Sequence, residues 1–154
     1  MLTRRTTLGL MAAAAPVAFL ATRASASEPE IFQSDGLAIG GADPVAYFDL
    51  AEDADPVIGS ADHTLDWSGA TWQFASAENR AAFEANPSAY APAYGGYCAY
   101  AAARGTVAST VPEAWSVVDG RLFLNYSIRI RRRWLRELPE AITLGDENWP
   151  GLVG

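Results

Sequence analysis

The chain of 154 residues has few reactive side chains. It contains no lysine, a single histidine, His63, and a single cysteine, Cys98, and both of its methionines precede residue 12. Without lysine, Schiff-base chemistry is confined to the N-terminal amine. A lone cysteine excludes a disulfide within one molecule. One thiol and one imidazole also fall short of the ligand sets of structural zinc and of copper(I), which disfavours a closed site for either metal.

The standard catalytic motifs are missing as well. The sequence has no G-x-S-x-G nucleophile elbow, no H-E-x-x-H zinc helix, no C-x-x-C redox pair and no glycine-rich phosphate loop followed by lysine. The remaining thiol-enzyme arrangement would combine Cys98 and His63 with Asn79 or Asn125, and their spacing gives it no direct support. We therefore expect a protein that is not an enzyme.

Residues 1–26 have the pattern of a cleavable export signal. An arginine pair, Arg4-Arg5, precedes an Ala-rich apolar stretch from Leu8 to Leu20, and Ala24-Ser25-Ala26 matches an A-x-A cleavage site. The apolar stretch is shorter than the roughly 20 residues that cross a bilayer, so we expect no membrane anchor. The arginine pair favours the twin-arginine export route. Cleavage is predicted after Ala26, with a periplasmic location.

The charge of the remaining chain restricts its partners. Eight arginines stand against eighteen acidic residues after residue 26, a net charge near −10. Nucleic acid and anionic membrane surfaces are therefore poor partners. The length suits one domain with a single hydrophobic core. We expect a loose polar arm at residues 27–36 and a domain at residues 37–154, and the sequence identifies no protein partner.

The sequence predicts a small α+β domain in which two β-hairpins pack with a central helix and a C-terminal helix. Runs of β-branched and aromatic residues flank the turn dipeptides Ser68-Gly69 and Asp119-Gly120, which predicts a hairpin around each. Ser76 and Ser127 are placed to cap the two helices. The predicted boundaries are strands at His63–Trp67, Thr71–Phe74, Trp115–Val118 and Leu122–Tyr126, shorter strands at Leu37–Ile39 and Pro44–Phe48, a surface loop at Ala51–Asp62, and a helix end at Asn86-Pro87.

Five arginines crowd the C-terminal helix. The plain interpretation is that they are solvated, pair with carboxylates and complement the negative end of the helix dipole. The alternative, a phosphate-binding surface, is less favoured because an acidic protein does not attract anions well. These residues are Arg129, Arg131, Arg132, Arg133 and Arg136.

The segment from Tyr94 to Tyr100 is the densest cluster of aromatic and glycine residues. Its glycines allow positive φ angles, which would aim the Cys98 thiol into a pocket lined by Tyr94, Tyr97 and Tyr100. These four residues are the predicted ligand-binding residues. The alternative is a buried thiol among core tyrosines whose hydroxyls are paired. Cys98 and His63 are the predicted metal ligands.

Several separated motifs resemble the YHS domain, and specifically the exported bacterial proteins of that family. The resemblance covers nearly the whole chain after residue 26 and implies a small fold whose wider relatives are presumed to bind metal through cysteines. The matching segments are Gly-Ala-Asp-Pro-Val-Ala-Tyr-Phe at 41–48, the stretch from Trp67 to Arg80, Phe83, Pro87, Tyr90, Tyr-Gly-Gly-Tyr-Cys-Ala at 94–99, Asp-Gly at 119–120, Leu-Asn-Tyr at 124–126 and Asn-Trp-Pro at 148–150.

The chain departs from those relatives at the presumed metal ligands. One cysteine of the relatives follows the Asp-Pro-Val element and two flank the turn into the helix, whereas this chain has Ala46, Ala75 and Asn79 there. The family ligands therefore do not carry over. A harder metal site would need His63 and Cys98 together with carboxylates, or a site shared across a dimer.

Three hypotheses follow for the function. The leading one is a non-enzymatic periplasmic protein that binds a metal ion such as copper, or a small ligand, in an aromatic pocket around Cys98. The second is a metal-free interaction or scaffold module. The third is a thiol enzyme or redox protein that depends on Cys98.

Overall fold

The computed structural model describes residues 27–153. The predicted export signal lies outside this range, and no helix within the described residues is long and apolar enough to cross a membrane. The strands are β1 Gln33–Ser34, β2 Leu37–Ala38, β3 Ser60–Trp67, β4 Ala70–Phe74, β5 Trp115–Val118 and β6 Arg121–Leu124, and the α-helices are α1 Ala77–Ala85, α2 Pro87–Tyr90, α3 Ala99–Ala102, α4 Ile128–Arg136 and α5 Glu140–Asn148. Short 3-10 turns lie at Ile39–Gly41, Ala46–Asp49, Ala93–Gly96 and Trp149–Gly151.

The described strands pair as three antiparallel hairpins, β1-β2, β3-β4 and β5-β6. Each turn consists of a non-glycine residue and a glycine that both have positive φ: Asp35-Gly36, Ser68-Gly69 and Asp119-Gly120. This geometry matches the twist of the flanking strands and favours Asp-Gly and similar dipeptides. The two predicted hairpins are therefore confirmed, and a third, shorter one precedes them.

Serine caps begin the two longest predicted helices as expected. The Ser76 hydroxyl accepts a hydrogen bond from the Asn79 amide at 3.1 Å, and the Ser127 hydroxyl accepts one from the Ile130 amide at 3.1 Å. Each bond satisfies an amide that the first helical turn leaves unpaired. The small α+β fold class is thus present, with α1 central and α4 near the C-terminus.

Four local expectations need correction. The predicted loop Ala51–Asp62 ends before Ser60, because β3 begins there. The segment Pro44–Phe48 is not a strand, because the Asp43 carboxylate accepts bonds from the Val45 and Ala46 amides and turns the chain into a 3-10 helix. The arm at 27–36 is partly ordered, since Ile31 is buried and β1 lies within it. The helix α4 is also not the last one, because α5 follows it.

The hydrophobic core consists of two clusters. The first joins the β3-β4 hairpin to α1 and to part of β5-β6 through residues such as Trp72, Phe74 and Phe83. The second packs α3, α4 and α5 around Phe123 and Trp134, whose ring centroids are 4.9 Å apart. The β5-β6 hairpin contributes side chains to both clusters and so holds them together.

Candidate functional site

Cys98 lies inside the protein rather than beside an opening. Its residue is 1% exposed, its thiol is 3.5 Å from the Asn125 side-chain oxygen, and its sulfur accepts a hydrogen bond from the Tyr126 amide at 3.3 Å. The same Asn125 oxygen accepts the Tyr100 amide at 3.0 Å. The thiol therefore helps to join the start of α3 to the end of β6.

The three predicted ligand-binding tyrosines are occupied by contacts within the protein. The Tyr94 hydroxyl lies 3.1 Å from an Asp146 carboxylate oxygen, and the Tyr97 hydroxyl donates to the Pro29 carbonyl at 2.8 Å. The Tyr100 ring lies beneath the Arg104 guanidinium at 3.5 Å. Of the five principal cavities of residues 27–153, one includes Tyr97 and none includes Tyr94, Cys98 or Tyr100.

Burial raises the pKa of Tyr94 above its ordinary value, with the nearby Asp146 charge adding to the effect. Burial also raises the pKa of Tyr97, with a smaller contribution from Glu28. Both hydroxyls thus stay neutral and act as hydrogen-bonding groups. Tyr94 and Tyr97 thus match the alternative interpretation, because both are buried with their hydroxyls paired, whereas Tyr100 is partly exposed and contacts Arg104 through its ring.

The predicted metal ligands do not form a metal site. His63 lies on β3, and residues 27–153 contain no group of three or more His, Cys, Asp or Glu side chains that could hold a metal ion. Cys98 already bonds to Asn125 and Tyr126. The residues present therefore do not fit copper or zinc, which prefer several soft or nitrogen ligands.

Asp43 is a fully buried carboxylate with four hydrogen bonds. One oxygen accepts the Val45 amide at 2.9 Å and the Ala46 amide at 3.2 Å. The other accepts the Ala75 amide at 2.8 Å and the Asn79 side-chain amide at 2.8 Å. These bonds offset the cost of burying the charge. Ala46, Ala75 and Asn79, which lie far apart in the sequence, thus meet at one carboxylate.

The strongest candidate site is a cavity of about 350 Å³ that we call the Arg131 pocket. It lies between the 3-10 turn Ala46–Asp49, the following acidic loop, β5 and α4. Its volume falls within the range of small-molecule sites. The lining residues are Tyr47, Phe48, Leu50, Glu52, Trp115, Ser116, Val117, Val118, Arg131 and Leu135.

Arg131 gives this pocket a buried positive charge. Its side chain is 7% exposed, its Nε donates to the Ser116 hydroxyl at 2.8 Å, and its Nη1 pairs with Asp53 Oδ1. Within residues 27–153, Nη2 has no hydrogen-bond acceptor. A guanidinium presents its donors in a planar fork that matches a carboxylate, so an anionic group of a ligand has a binding point here.

Two anchored aromatic side chains form the wall of the pocket. The Tyr47 hydroxyl donates to the Pro112 carbonyl at 2.9 Å, and the Trp115 indole donates to the Ala54 carbonyl at 2.9 Å. Their ring centroids lie 5.3 Å apart. Burial, followed by the charges of Glu113 and Asp43, raises the pKa of Tyr47, so its hydroxyl stays protonated. The wall is therefore rigid and apolar, with its polar atoms already paired.

The arginines of α4 were expected to be solvated and to pair with carboxylates, and Arg131 does pair with Asp53 but is buried rather than solvated. Its signal is the helical period, because Arg131 lies three and four residues before Trp134 and Leu135 and so shares their face. Arg129, Arg132, Arg133 and Arg136 are not buried.

No known protein-family model, curated protein or solved structure matches the chain, so the resemblance to the YHS domain stays a prediction from sequence motifs.

Proposed function

We propose that the protein is an exported, non-enzymatic, YHS-like binding protein that holds a small organic ligand in the Arg131 pocket. The observation that carries this proposal is the buried Arg131 guanidinium in the wall of an aromatic cavity. Burying a charge costs free energy, and a structural ion pair would be satisfied more cheaply at the surface. A ligand that shares the charge supplies a reason for its position.

The pocket lining favours binding over catalysis. Ser116 is a hydroxyl in the lining, but its oxygen accepts a hydrogen bond from Arg131, which cannot take its proton. The Tyr47 hydroxyl is committed to the Pro112 carbonyl. The chemistry that these groups support is recognition of an anionic group beside an apolar body.

The Asp43 cluster supports the proposed kinship with metal-free YHS-like proteins. The three positions that correspond to the presumed cysteine ligands lie far apart in the sequence, yet Ala46, Ala75 and Asn79 all contact the Asp43 carboxylate. A carboxylate with four hydrogen bonds organises the same three chain segments without a metal. This arrangement favours a small ligand over a metal ion as the bound molecule.

Titration of the full chain with N-phenyl-1-naphthylamine, a neutral dye that fluoresces in apolar sites, tests the proposal. We expect one equivalent to bind the native protein. Val117→Trp, which fills the pocket from β5, should weaken binding at least about tenfold. Val111→Trp is the matched control, because Val111 is as exposed as Val117 and lines none of the five principal cavities of residues 27–153.

Cys98→Ser separates this proposal from a site around the thiol. Binding should be unchanged in that variant, because Cys98 does not line the pocket. Equal binding by the native protein and Val117→Trp, or loss of binding in Cys98→Ser with the fold intact by circular dichroism, would contradict the proposed site.

A further inference from the structure

We infer that the ligand of the Arg131 pocket is a small monocarboxylate with an aromatic body, and that its carboxylate replaces Asp53 on Arg131. This inference rests on the proposed function and specifies the class of ligand. It is drawn from the unequal burial of one ion pair, the donors of the guanidinium and the charge at the rim of the pocket.

The two partners of the ion pair differ greatly in exposure. The Arg131 side chain is 7% exposed and the Asp53 side chain is 71% exposed. Arg131 therefore needs an anionic partner, whereas Asp53 is well solvated without one. Replacing Asp53 by another carboxylate leaves no buried charge unpaired. Exchanging Asp53 for a ligand carboxylate therefore costs little free energy of desolvation at Asp53, and Arg131 keeps an anionic partner.

The Arg131 guanidinium can donate more hydrogen bonds to a ligand carboxylate than it donates to Asp53. The Nε atom donates to the Ser116 hydroxyl, and Nη1 is the one guanidinium nitrogen that bonds to Asp53. The Nη2 atom has no acceptor within residues 27–153. A ligand carboxylate that approaches from the pocket can accept from both Nη1 and Nη2. Such paired, charge-assisted bonds are stronger than the single contact that they replace.

The loop that carries Asp53 is anchored on one side. The Ala54 amide donates to the Ala51 carbonyl at 3.0 Å, and the Ala54 carbonyl accepts the Trp115 indole at 2.9 Å. Asp53 itself has a φ of 63°, which places it at a tight turn. Rotation of the Asp53 side chain into solvent therefore releases Arg131 without moving the aromatic wall.

The remaining lining selects among anions. Glu52 lies in the lining and adds a negative charge, which disfavours phosphates and other polyanions relative to a single carboxylate. Phe48, Leu50 and Leu135 are partly exposed in the lining and offer apolar surface to a flat apolar body, with the buried rings of Tyr47 and Trp115 behind them. Phenylacetate has both features and is a suitable probe, and phenylacetamide is its neutral counterpart.

Calorimetric titration of the full chain with phenylacetate tests the inference. Asp53→Asn should bind phenylacetate at least about tenfold more tightly than the native protein, because the competing carboxylate is gone. Arg131→Met should lose most of the affinity, and Arg131→Lys, which keeps the charge but not the fork, should lose part of it. Phenylacetamide should bind the native protein and Asp53→Asn equally, and phenyl phosphate should bind more weakly than phenylacetate.

The outcomes separate the inference from the proposed function. Unchanged or weaker phenylacetate binding in Asp53→Asn overturns the exchange with Asp53, and the comparison needs only variants that keep the buried Arg131. Equal affinity for phenylacetate and phenylacetamide overturns the carboxylate class. In both cases, dye binding that Val117→Trp weakens as expected would leave the proposed pocket standing. Loss of that dye effect would instead remove the proposed function itself.

Discussion

The Cys98 cluster and the Arg131 pocket show two ways of placing a polar group inside a small protein. The Cys98 thiol bonds to Asn125 and Tyr126, and the surrounding tyrosines bond to other parts of the fold. Arg131 is almost as buried, but it borders a cavity and its acidic partner lies in water. The Cys98 thiol is enclosed by its own contacts, although the neighbouring Asn125 side-chain nitrogen is buried without a hydrogen-bond partner among residues 27–153. Arg131 differs because its Nη2, which has no acceptor in that range, belongs to a side chain that lines a cavity.

The comparison shows that the reactivity of a residue type and the environment of that residue in the fold are separate properties. Cys98 is the only cysteine of the chain, yet its surroundings satisfy it as a small core residue. Arg131 is one of eleven arginines and is distinguished by burial next to open space. A buried charged side chain that has a solvent-exposed partner and lines a cavity indicates a candidate site better than a rare residue type does.

The accessibility of a thiol in each region offers the most sensitive test of this comparison. Cys98 is 1% exposed and Val117, which lines the pocket, is 36% exposed. A water-soluble disulfide reagent should label Cys98 on the order of 100-fold more slowly than a cysteine at position 117 in the variant Cys98→Ser/Val117→Cys, because Cys98 reacts only after local opening. Stopped-flow absorbance measures both rates. Similar rates would mean that the Cys98 cluster is open.

Crowding around the Cys98 cluster should make Gly95 intolerant of a side chain. A Cβ at this position would lie 1.9 Å from the Glu30 carbonyl oxygen, and the φ of Gly95 is +60°. We expect Gly95→Ala to lower the free energy of unfolding by about 3 kcal/mol, from overpacking and backbone strain together. Guanidinium denaturation measures the change.

Gly36→Ala is the matched control for crowding. Gly36 has a φ of +78° with nothing within 4 Å of the added carbon, so only the backbone strain of about 1 kcal/mol applies. Equal losses in the two variants would show that the contact with Glu30 is relaxed at little cost, and that the Cys98 cluster is not tightly packed at Gly95.

The smallest expected effect concerns the acidic residue that holds Tyr94. Arg121 pairs with Asp146 at 2.8 Å, and this hydrogen bond is the largest cause that lowers the pKa of the Asp146 carboxyl. The lowered pKa adds stability above the unfolded value of about 3.9, and this contribution is lost as the pH falls through the folded value. Both side chains are nearly half exposed, so we expect at most about 1 kcal/mol.

Thermal denaturation of the native protein and Asp146→Asn from pH 3 to pH 7 measures this contribution. The difference in Tm should be largest near neutral pH and should shrink below about pH 4. Glu147→Gln, on the same helix but without an ion pair among the described residues, should show a smaller difference at neutral pH. A difference that grows on acidification would contradict the assigned role of Asp146.

Local features of the fold were predictable because short-range chemistry determines them. Asp119-Gly120 and the serine caps each specify a turn or a helix start within a few residues. Asp35-Gly36 carries the same turn signal, but its strands have only two residues each and gave no periodic pattern. The helix α5 follows Pro139 without a side-chain cap, so its start has no local signal of that kind.

The candidate site was less predictable because it depends on contacts between distant segments. Asp53 and Arg131 are separated by 78 residues, and Trp115 and Ala54 by 61. The helical spacing of Arg131 relative to Trp134 could have indicated its buried face, but not the cavity beside it. The thiol hypothesis rested on Cys98 being the one cysteine of the chain. Its hydrogen-bond partners, Asn125 and Tyr126, are distant in the sequence and were not predictable from it.

The four hydrogen bonds of Asp43 also bear on how the pocket responds to a ligand. They join the turn that carries Tyr47 and Phe48 to the end of β4 and the start of α1. This part of the pocket wall therefore cannot loosen without breaking the hydrogen bonds of a buried carboxylate. Under the proposed function, adaptation to different ligands would be confined to the Asp53 side, and the fixed half of the pocket would add little to the entropy cost of binding.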